Sequence, residues 1–225
     1  MSPSVTSIAT TLARKVNRVR FPRAVKPQPT PDLIRLGSGY GGWTVPESAI
    51  RPGAIAYCVG AGTDVTFDLE LASRGCAVYC FDPTEHAIVY CQKIEHERFT
   101  FHPYGLWSED TMLRFYSNPR PGHGSLSAVN LHGTDEYVEA PVRSLRSIMR
   151  DLQHDHIDIL KIDIEGAEHA VIDSLAGDMP SIGVICVEFD QPMPYGRMME
   201  TVKRLWSVGF VTTHCERWNV TFVRR

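Results

Sequence analysis

Beyond residue 50 the chain alternates between two hydrophobic rhythms. Short apolar runs closed by glycine or acid, "AIAYCV" (54–59), "AVYCFD" (77–82), "RFTFHPY" (98–104), "IDILKID" (157–163) and "IGVICVEFD" (182–190), predict buried strands. The segments over 64–74, 84–95, 144–152, 167–175 and 195–208 predict helices; in the first, Val65, Leu69 and Ala72 share one face. Asp64 and Ser144 are expected N-caps, and Gly75 a helix stop. "MLRFYS" (112–117) and "EYVEAPV" (136–142) are β-like and flank a Gly/Ser/His loop. "FVTTHC" (210–215) and "WNVTFVRR" (218–225) predict a terminal hairpin. Strand–helix alternation with short links predicts an α/β fold with a mostly parallel sheet covered on both faces. The hairpin requires one antiparallel strand.

The 225 residues suit one α/β domain. Residues 1–36 are expected to be an N-terminal arm, mobile or peripheral. Pro22, Pro27, Pro29 and Pro31 break any long helix there. The arm carries Arg14, Lys15, Arg18, Arg20 and Arg23 with no acid in its first 31 residues, and a basic arm is favoured over a transit peptide. Residues 37–225 are expected to be the functional domain, with an inserted loop and β segment near 108–142. A net charge of −3 points to neither nucleic acid nor an anionic membrane surface. No apolar run reaches the roughly 18 residues of a membrane span. Six cysteines form no CxxC pair, and Cys58, Cys80 and Cys186 fall inside strand-like runs. Reduced, buried thiols in a cytoplasmic protein are the expectation. Cys and His show no metal-ligand spacing.

The first strand–turn–helix–strand unit holds Gly60 and Gly62 in its turn, and Asp82 lies 22 positions beyond Gly60. An acid at roughly that interval meets ribose hydroxyls in nucleotide-binding βαβ units. The third glycine of the dinucleotide fingerprint is missing, and Asp64 stands at the helix start, where it would repel a pyrophosphate. Asp64 would instead suit a cationic ligand, as a cofactor-binding residue, and S-adenosylmethionine (SAM) fits this turn: it has ribose and adenine, no phosphate, an ammonium and a sulfonium. A tight βα turn with a capping Asp64 is the plainer reading of the same residues.

Asp82, Asp163 and Glu188 each end a predicted strand, so three strands deliver acids to one rim of the sheet, where open α/β sheets bind ligands. Glu165 and Glu168 follow Asp163; they are read either as acceptor contacts or as acids favoured by the helix dipole. Lys161 neutralises its neighbours or meets the ligand. In the loop 118–133, His123, Ser125 and Asn130 could bind sugar hydroxyls, or belong to a surface hairpin. Asp163 is the first candidate for a general base, Glu188 the second, and His123 a rival. His169 is expected on an exposed helix face. Tyr40 and Trp43 could stack on a ligand or simply pack. A divalent metal on Asp163 and Glu188 is admitted but not favoured, and no metal ligands are assigned.

"LKIDIEGAE" (160–168), "YCVGAGTDVTFD" (57–68) and "VYCFDPT" (78–84) together resemble the FkbM-type SAM-dependent methyltransferases. "GGW" (41–43), "YGLW" (104–107), "PVRSLRSIM" (141–149), "VEFD" (187–190) and "WNVTFVR" (218–224) fit the same pattern, so the resemblance covers roughly 40–225. It implies a Rossmann-like, seven-stranded class I methyltransferase sheet with one antiparallel strand, SAM as cofactor, and O-methylation of a sugar or polyketide-like hydroxyl on a small molecule or glycan. By position it implies Gly60, Ala61 and Gly62 at the methionine end of SAM, and Asp82 with Pro83 at the ribose. Tyr104, Gly105 and Leu106 would lie near the adenine, Asp163 beside the methyl group, and Glu165, Glu168 and Glu188 on the acceptor side. The alternatives are a nicotinamide-dependent oxidoreductase, disfavoured by the missing glycine, and a non-catalytic SAM- or nucleotide-binding module.

Overall fold

The computed structural model describes residues 16–117, 126–128, 130, 133–189 and 193–225. Residues 16–24 form a helix, α1. β1 (Leu33–Leu36) and β2 (Trp43–Pro46) pair as an antiparallel hairpin. The alternating part follows as β3 (Ile55–Val59), α2 (Thr66–Ser73), β4 (Ala77–Phe81), α3 (Glu85–Cys91) and β5 (Phe99–His102). A second, small sheet comprises β6 (Gly105–Trp107), β7 (Thr111–Ser117), β8 (Leu126–Ser127) and β9 (Tyr137–Ser144). The chain then returns through α4 (Leu145–Asp151), β10 (His156–Ile162), α5 (Glu168–Leu175), β11 (Ser181–Glu188), α6 (Tyr195–Ser207), β12 (Phe210–Glu216) and β13 (Asn219–Arg224).

The main sheet has seven strands in the order β12-β13-β11-β10-β3-β4-β5. Only β13 runs against the others, as the terminal hairpin requires. Its central strands are apolar almost throughout because both faces are covered. One face presents Tyr57, Val59, Phe81, Leu160, Ile162, Ile185 and Val187 to a core shared with α4, α5 and α6. The other presents smaller residues, Ala56, Cys58, Cys80 and Cys186, which let Phe67, Leu71 and Ala72 of α2 pack closely.

The chain steps from β3 to β4 and β5 on one side, and from β10 to β11 on the other. The carboxyl ends of β3 and β10 therefore open a crevice between diverging connections.

Three features depart from the sequence reading. The arm is not peripheral where it is described: Phe21 on α1 and Val25 just after it are fully buried. The Phe21 ring meets Phe189 at 5.4 Å and Trp218 at 5.7 Å, and Arg20 lies 4.1 Å over the Tyr195 ring. Burying two such side chains stabilises the docked helix by roughly 1.5–3 kcal/mol each before ordering costs. Residues 37–42, four of them glycine, are the loop of the β1–β2 hairpin. The predicted strand 98–104 ends at His102, and β6, just beyond it, pairs with β9 in the small sheet. Among the described residues, no helix is long and apolar enough to cross a membrane.

Candidate functional site

The crevice is the mouth of a cleft of about 1130 Å³. Along the rim the strand ends follow in a fixed order: Asp82 after β4, the glycine turn after β3, Asp163 after β10, Glu188 ending β11, and Asn219 opening β13. All of these groups line the cleft.

Backbone sterics dictate the glycine turn. Gly60 has φ +89°, and a Cβ there would lie 1.8 Å from the Asp163 carbonyl oxygen. The two strand ends can close together only if residue 60 has no side chain. The Gly60 carbonyl accepts from the Lys161 ammonium beneath it. Gly62, at φ +49°, faces open space.

Asp82 is at the expected place, but its partners are the protein's own. Oδ2 accepts from the amides of Ala61 (2.9 Å) and Gly62 (3.0 Å), and Oδ1 from the amide (2.9 Å) and hydroxyl (2.5 Å) of Thr84. Four donors fill the four acceptor positions of a carboxylate. The expected ribose ligand is thus a clamp on the glycine turn.

Asp64 is engaged in the same way. Helix α2 begins at Thr66, one residue later than an Asp64 cap would place it, and the Asp64 Oδ1 accepts from the Thr66 amide (3.0 Å) and hydroxyl (2.6 Å). Oδ2 accepts from the Ser38 hydroxyl at 2.5 Å. Asp64 thereby fastens the hairpin loop onto α2. Gly41 lies close to it: a Cβ there would stand 2.8 Å from the Asp64 carboxyl carbon, so the carboxylate would have to shift. Tyr40, at the loop tip, is 91% exposed and lines the cleft, whereas Trp43 is buried packing.

The other acids are open to the cleft. Asp163 keeps 31% of its side chain exposed and lies 3.6 Å from the Lys161 ammonium. Lys161 itself is buried. Burial alone would drive its ammonium toward neutrality, but the carboxylates of Asp163 and Asp68 reverse this and raise its pKa above the ordinary value. Asp68, on α2, is almost fully buried; burial raises its pKa against the pull of Lys161. The pKa of Glu188 is pushed up to about 8, first by burial, then by Asp163, with Lys161 opposing and Glu165 and Glu168 adding. At neutral pH Glu188 therefore holds a proton. Glu165 lines the cleft in a left-handed conformation (φ +55°), and its carbonyl accepts from the Ser127 hydroxyl of β8. Phe115 and Ala128 of the small sheet add an apolar wall.

Several expected site residues lie elsewhere. Glu168 is fully buried and absent from the cleft wall; its Oε1 accepts from the amides of Gly166 (3.0 Å) and Ile164 (3.3 Å). Tyr104 packs its ring on Phe81 at 5.6 Å, outside the cleft, while Phe81, Pro83, Gly105 and Leu106 line it. Asn130 is exposed and clasps Thr134 with both ends of its amide (2.9 and 3.0 Å). His169 is buried, with Nδ1 2.5 Å from the Thr201 hydroxyl, because α6 covers that face of α5. His123 and Ser125 fall outside the described residues. Among the described residues no group of three His, Cys, Asp or Glu side chains is arranged to hold a metal ion.

Sequence reasoning passed over Asp68, Arg18 and Arg217. The i, i+1, i+4, i+5 pattern of Phe67, Asp68, Leu71 and Ala72 holds the signal for a buried acid. Arg18, Phe21 and Val25 share one helical face by their spacing, so the docked arm was readable too.

A doubly wound sheet of seven strands, with β13 reversed and a glycine turn beside an acid-lined switch point, defines a class I methyltransferase fold. Residues 47–211, well over half of the chain, match the methyltransferase FkbM domain, and the chain belongs to that family. It is similar to probable methyltransferase-like protein 24 of Homo sapiens (29% identical over 120 residues) and of Rattus norvegicus (29% over 122 residues). Each match covers 53% of this chain and 27% of the relative, so the chain spans about a quarter of the length of these curated relatives. Among solved structures, the Methanococcus jannaschii fibrillarin pre-rRNA processing protein is similar over 78% of this chain and 67% of its own, with 13% identity and a TM-score of 0.45. The magnesium protoporphyrin IX methyltransferase of Synechocystis PCC 6803, solved with bound SAM, is similar over 80% and 73%, with 14% identity and a TM-score of 0.41.

Proposed function

We propose that the protein is a SAM-dependent O-methyltransferase that methylates a hydroxyl of a small molecule or glycan, such as a sugar or polyketide-like alcohol. The observation that carries this reading is how the acids and amides at the switch point are used. A dinucleotide needs free amides at the glycine turn, yet Ala61 and Gly62 both donate to Asp82, and Asp64 covers the start of α2. The open groups beside them are the carboxyls of Asp163, Glu165 and Glu188, which suit a cationic ligand. This favours SAM over a nicotinamide dinucleotide.

In this reading Gly60, Ala61 and Gly62 shape the bed for the methionine end of SAM, while Asp82 holds that bed. Phe81, Pro83, Gly105 and Leu106 offer apolar surface to the adenine. When bound, SAM supplies a methyl group already activated for displacement. What remains for the chain is to align the acceptor oxygen and to take its proton. Asp163, between the glycine turn and Glu188, is placed to receive that proton. The Lys161 ammonium lies 3.6 Å from its carboxylate. Glu188, protonated at neutral pH, can donate a hydrogen bond to the acceptor. Six free cysteines, five of them buried, suit a reducing compartment, and we place the protein in the cytoplasm.

Calorimetry with SAM, S-adenosylhomocysteine and NAD tests the cofactor. Saturable binding of the first two at micromolar concentrations and none of NAD is expected; the reverse order ends the reading. A screen of hydroxyl compounds with methyl-labelled SAM, with and without EDTA, then identifies the acceptor and tests for a metal.

A further inference from the structure

We infer that the methyl acceptor carries an anionic group, a carboxylate or a phosphate ester, held by Arg18 and Arg217 at the end of the cleft away from the glycine turn. The inference rests on the methyltransferase reading, because it presumes an acceptor beside Asp163.

The rim order locates the pair. Glu188 is in register with Asn219, and the Phe189 amide donates to the Trp218 carbonyl at 3.0 Å. The turn between β12 and β13 therefore stands just beyond the last acid of the rim. Arg217 is in that turn, directly before Trp218. Arg18 lies one helical turn before Phe21, whose ring meets Trp218. Two guanidinium groups thus flank one aromatic junction, and both line the cleft.

Neither guanidinium makes an ion pair or hydrogen bond among the described residues. Their neighbours are engaged: Arg35 bonds the Gly42 carbonyl at 3.0 Å and reaches Glu216 at 3.4 Å, and Arg20 lies over Tyr195. The one acid of the turn, Glu216, is thus drawn toward Arg35. Arg217 also has φ +58°, in a two-residue hairpin turn that ordinarily favours glycine or asparagine. A long cationic side chain at a strained position beside a ligand cleft is a sign of use rather than of folding need.

The chemistry follows from the polarity of the cleft. Asp163 and Glu165 repel an anion from the transfer point, while guanidinium groups take a carboxylate or phosphate through charge-assisted hydrogen bonds. An acceptor with its charge at the arginines can lie only one way round, which selects the hydroxyl that faces Asp163.

The test uses the full chain saturated with S-adenosylhomocysteine and three probes: glucose 6-phosphate, glucuronate and glucose. Binding is followed by calorimetry and by the Nε resonances of the arginines. At least one charged probe is expected to bind about tenfold or more tighter than glucose, shifting the Arg18 and Arg217 signals. The two charged probes separate phosphate from carboxylate. Arg18→Gln and Arg217→Gln should each weaken that probe about tenfold, with S-adenosylhomocysteine affinity held within about twofold as proof of folding. Equal binding of all three probes, no saturable binding of either anion, or indifference to both substitutions overturns the inference. Failure of S-adenosylhomocysteine itself to bind strikes the methyltransferase reading instead.

Discussion

The two ends of the cleft use the same residue type in opposite ways. At the glycine turn, Asp82 and Asp64 have their oxygens filled by protein donors, and their task is to fix backbone. At the ends of β10 and β11, Asp163 and Glu188 remain open to the cleft, and burial and like charge have lifted the Glu188 pKa to about 8. An acid at a strand end is thus an ambiguous sign. What separates a clamp from a reacting group is whether amides converge on it. Amides converge where a glycine turn folds back, and they are absent where the chain runs straight off a strand.

The contrast can be broken experimentally, beginning with the largest effect. Gly60→Ala drives a methyl into the Asp163 carbonyl and forces a side chain to φ +89°. It should destabilise by more than about 4 kcal/mol, and thermal melting should show little folded protein. Asp163→Asn should lower methyl transfer by about 10²–10⁴-fold, a larger loss than any fall in melting temperature or SAM affinity. Normal turnover in that variant would move the proton acceptor elsewhere. Asp82→Asn sets an NH2 group against amide donors and should cost about 1–3 kcal/mol of stability, with SAM affinity falling alongside. Weaker SAM binding at full stability would instead return Asp82 to a direct ribose contact.

The smallest effect is a pH slope. The raised pKa of Glu188 means that the folded state holds its proton more tightly than the unfolded chain does. Its contribution to stability is full below about pH 4.5 and is lost as pH rises through about 8. Buried histidines act oppositely: the His169 pKa is lowered to about 4 by burial, so stability rises with pH up to the unfolded histidine value near 6.5. Between about pH 6.5 and 8 the Glu188 effect stands alone of these two, at no more than about 1.4 kcal/mol per pH unit. Chemical denaturation across that window should show stability falling with pH, and Glu188→Gln should flatten the fall.

Much of the fold was legible because period-2 and period-3.6 patterns report burial directly. β3, β4, β10, β11 and the terminal hairpin all lie within a residue or two of their expected bounds. The β1–β2 hairpin was hidden, since "LIRL" and "WTVP" are too short to show a period. Strand β6 was hidden too, since its three residues, "GLW", are too few to show a period. At the site, the positions of the acids were readable from the strand ends, but their partners were not. Backbone amides have no letter in the sequence, so the saturation of Asp82 could not be seen there. Glu168 is the helix-start acid of its two readings, whereas His169 was misjudged because α5 is covered on a second side by α6, a tertiary fact that local periodicity does not encode.

The docked helix α1 and the turn at Arg217 have a consequence for how such a fold can diversify. Helix α1 and the β12–β13 turn meet at the mouth of the cleft, outside the strands that build the glycine turn and present Asp163. The gate is therefore made of flanking segments and the engine of the central strands. Sequence can drift, lengthen or be exchanged at the gate without reopening the sheet, so a new acceptor can be admitted while the methyl-transfer geometry is inherited intact.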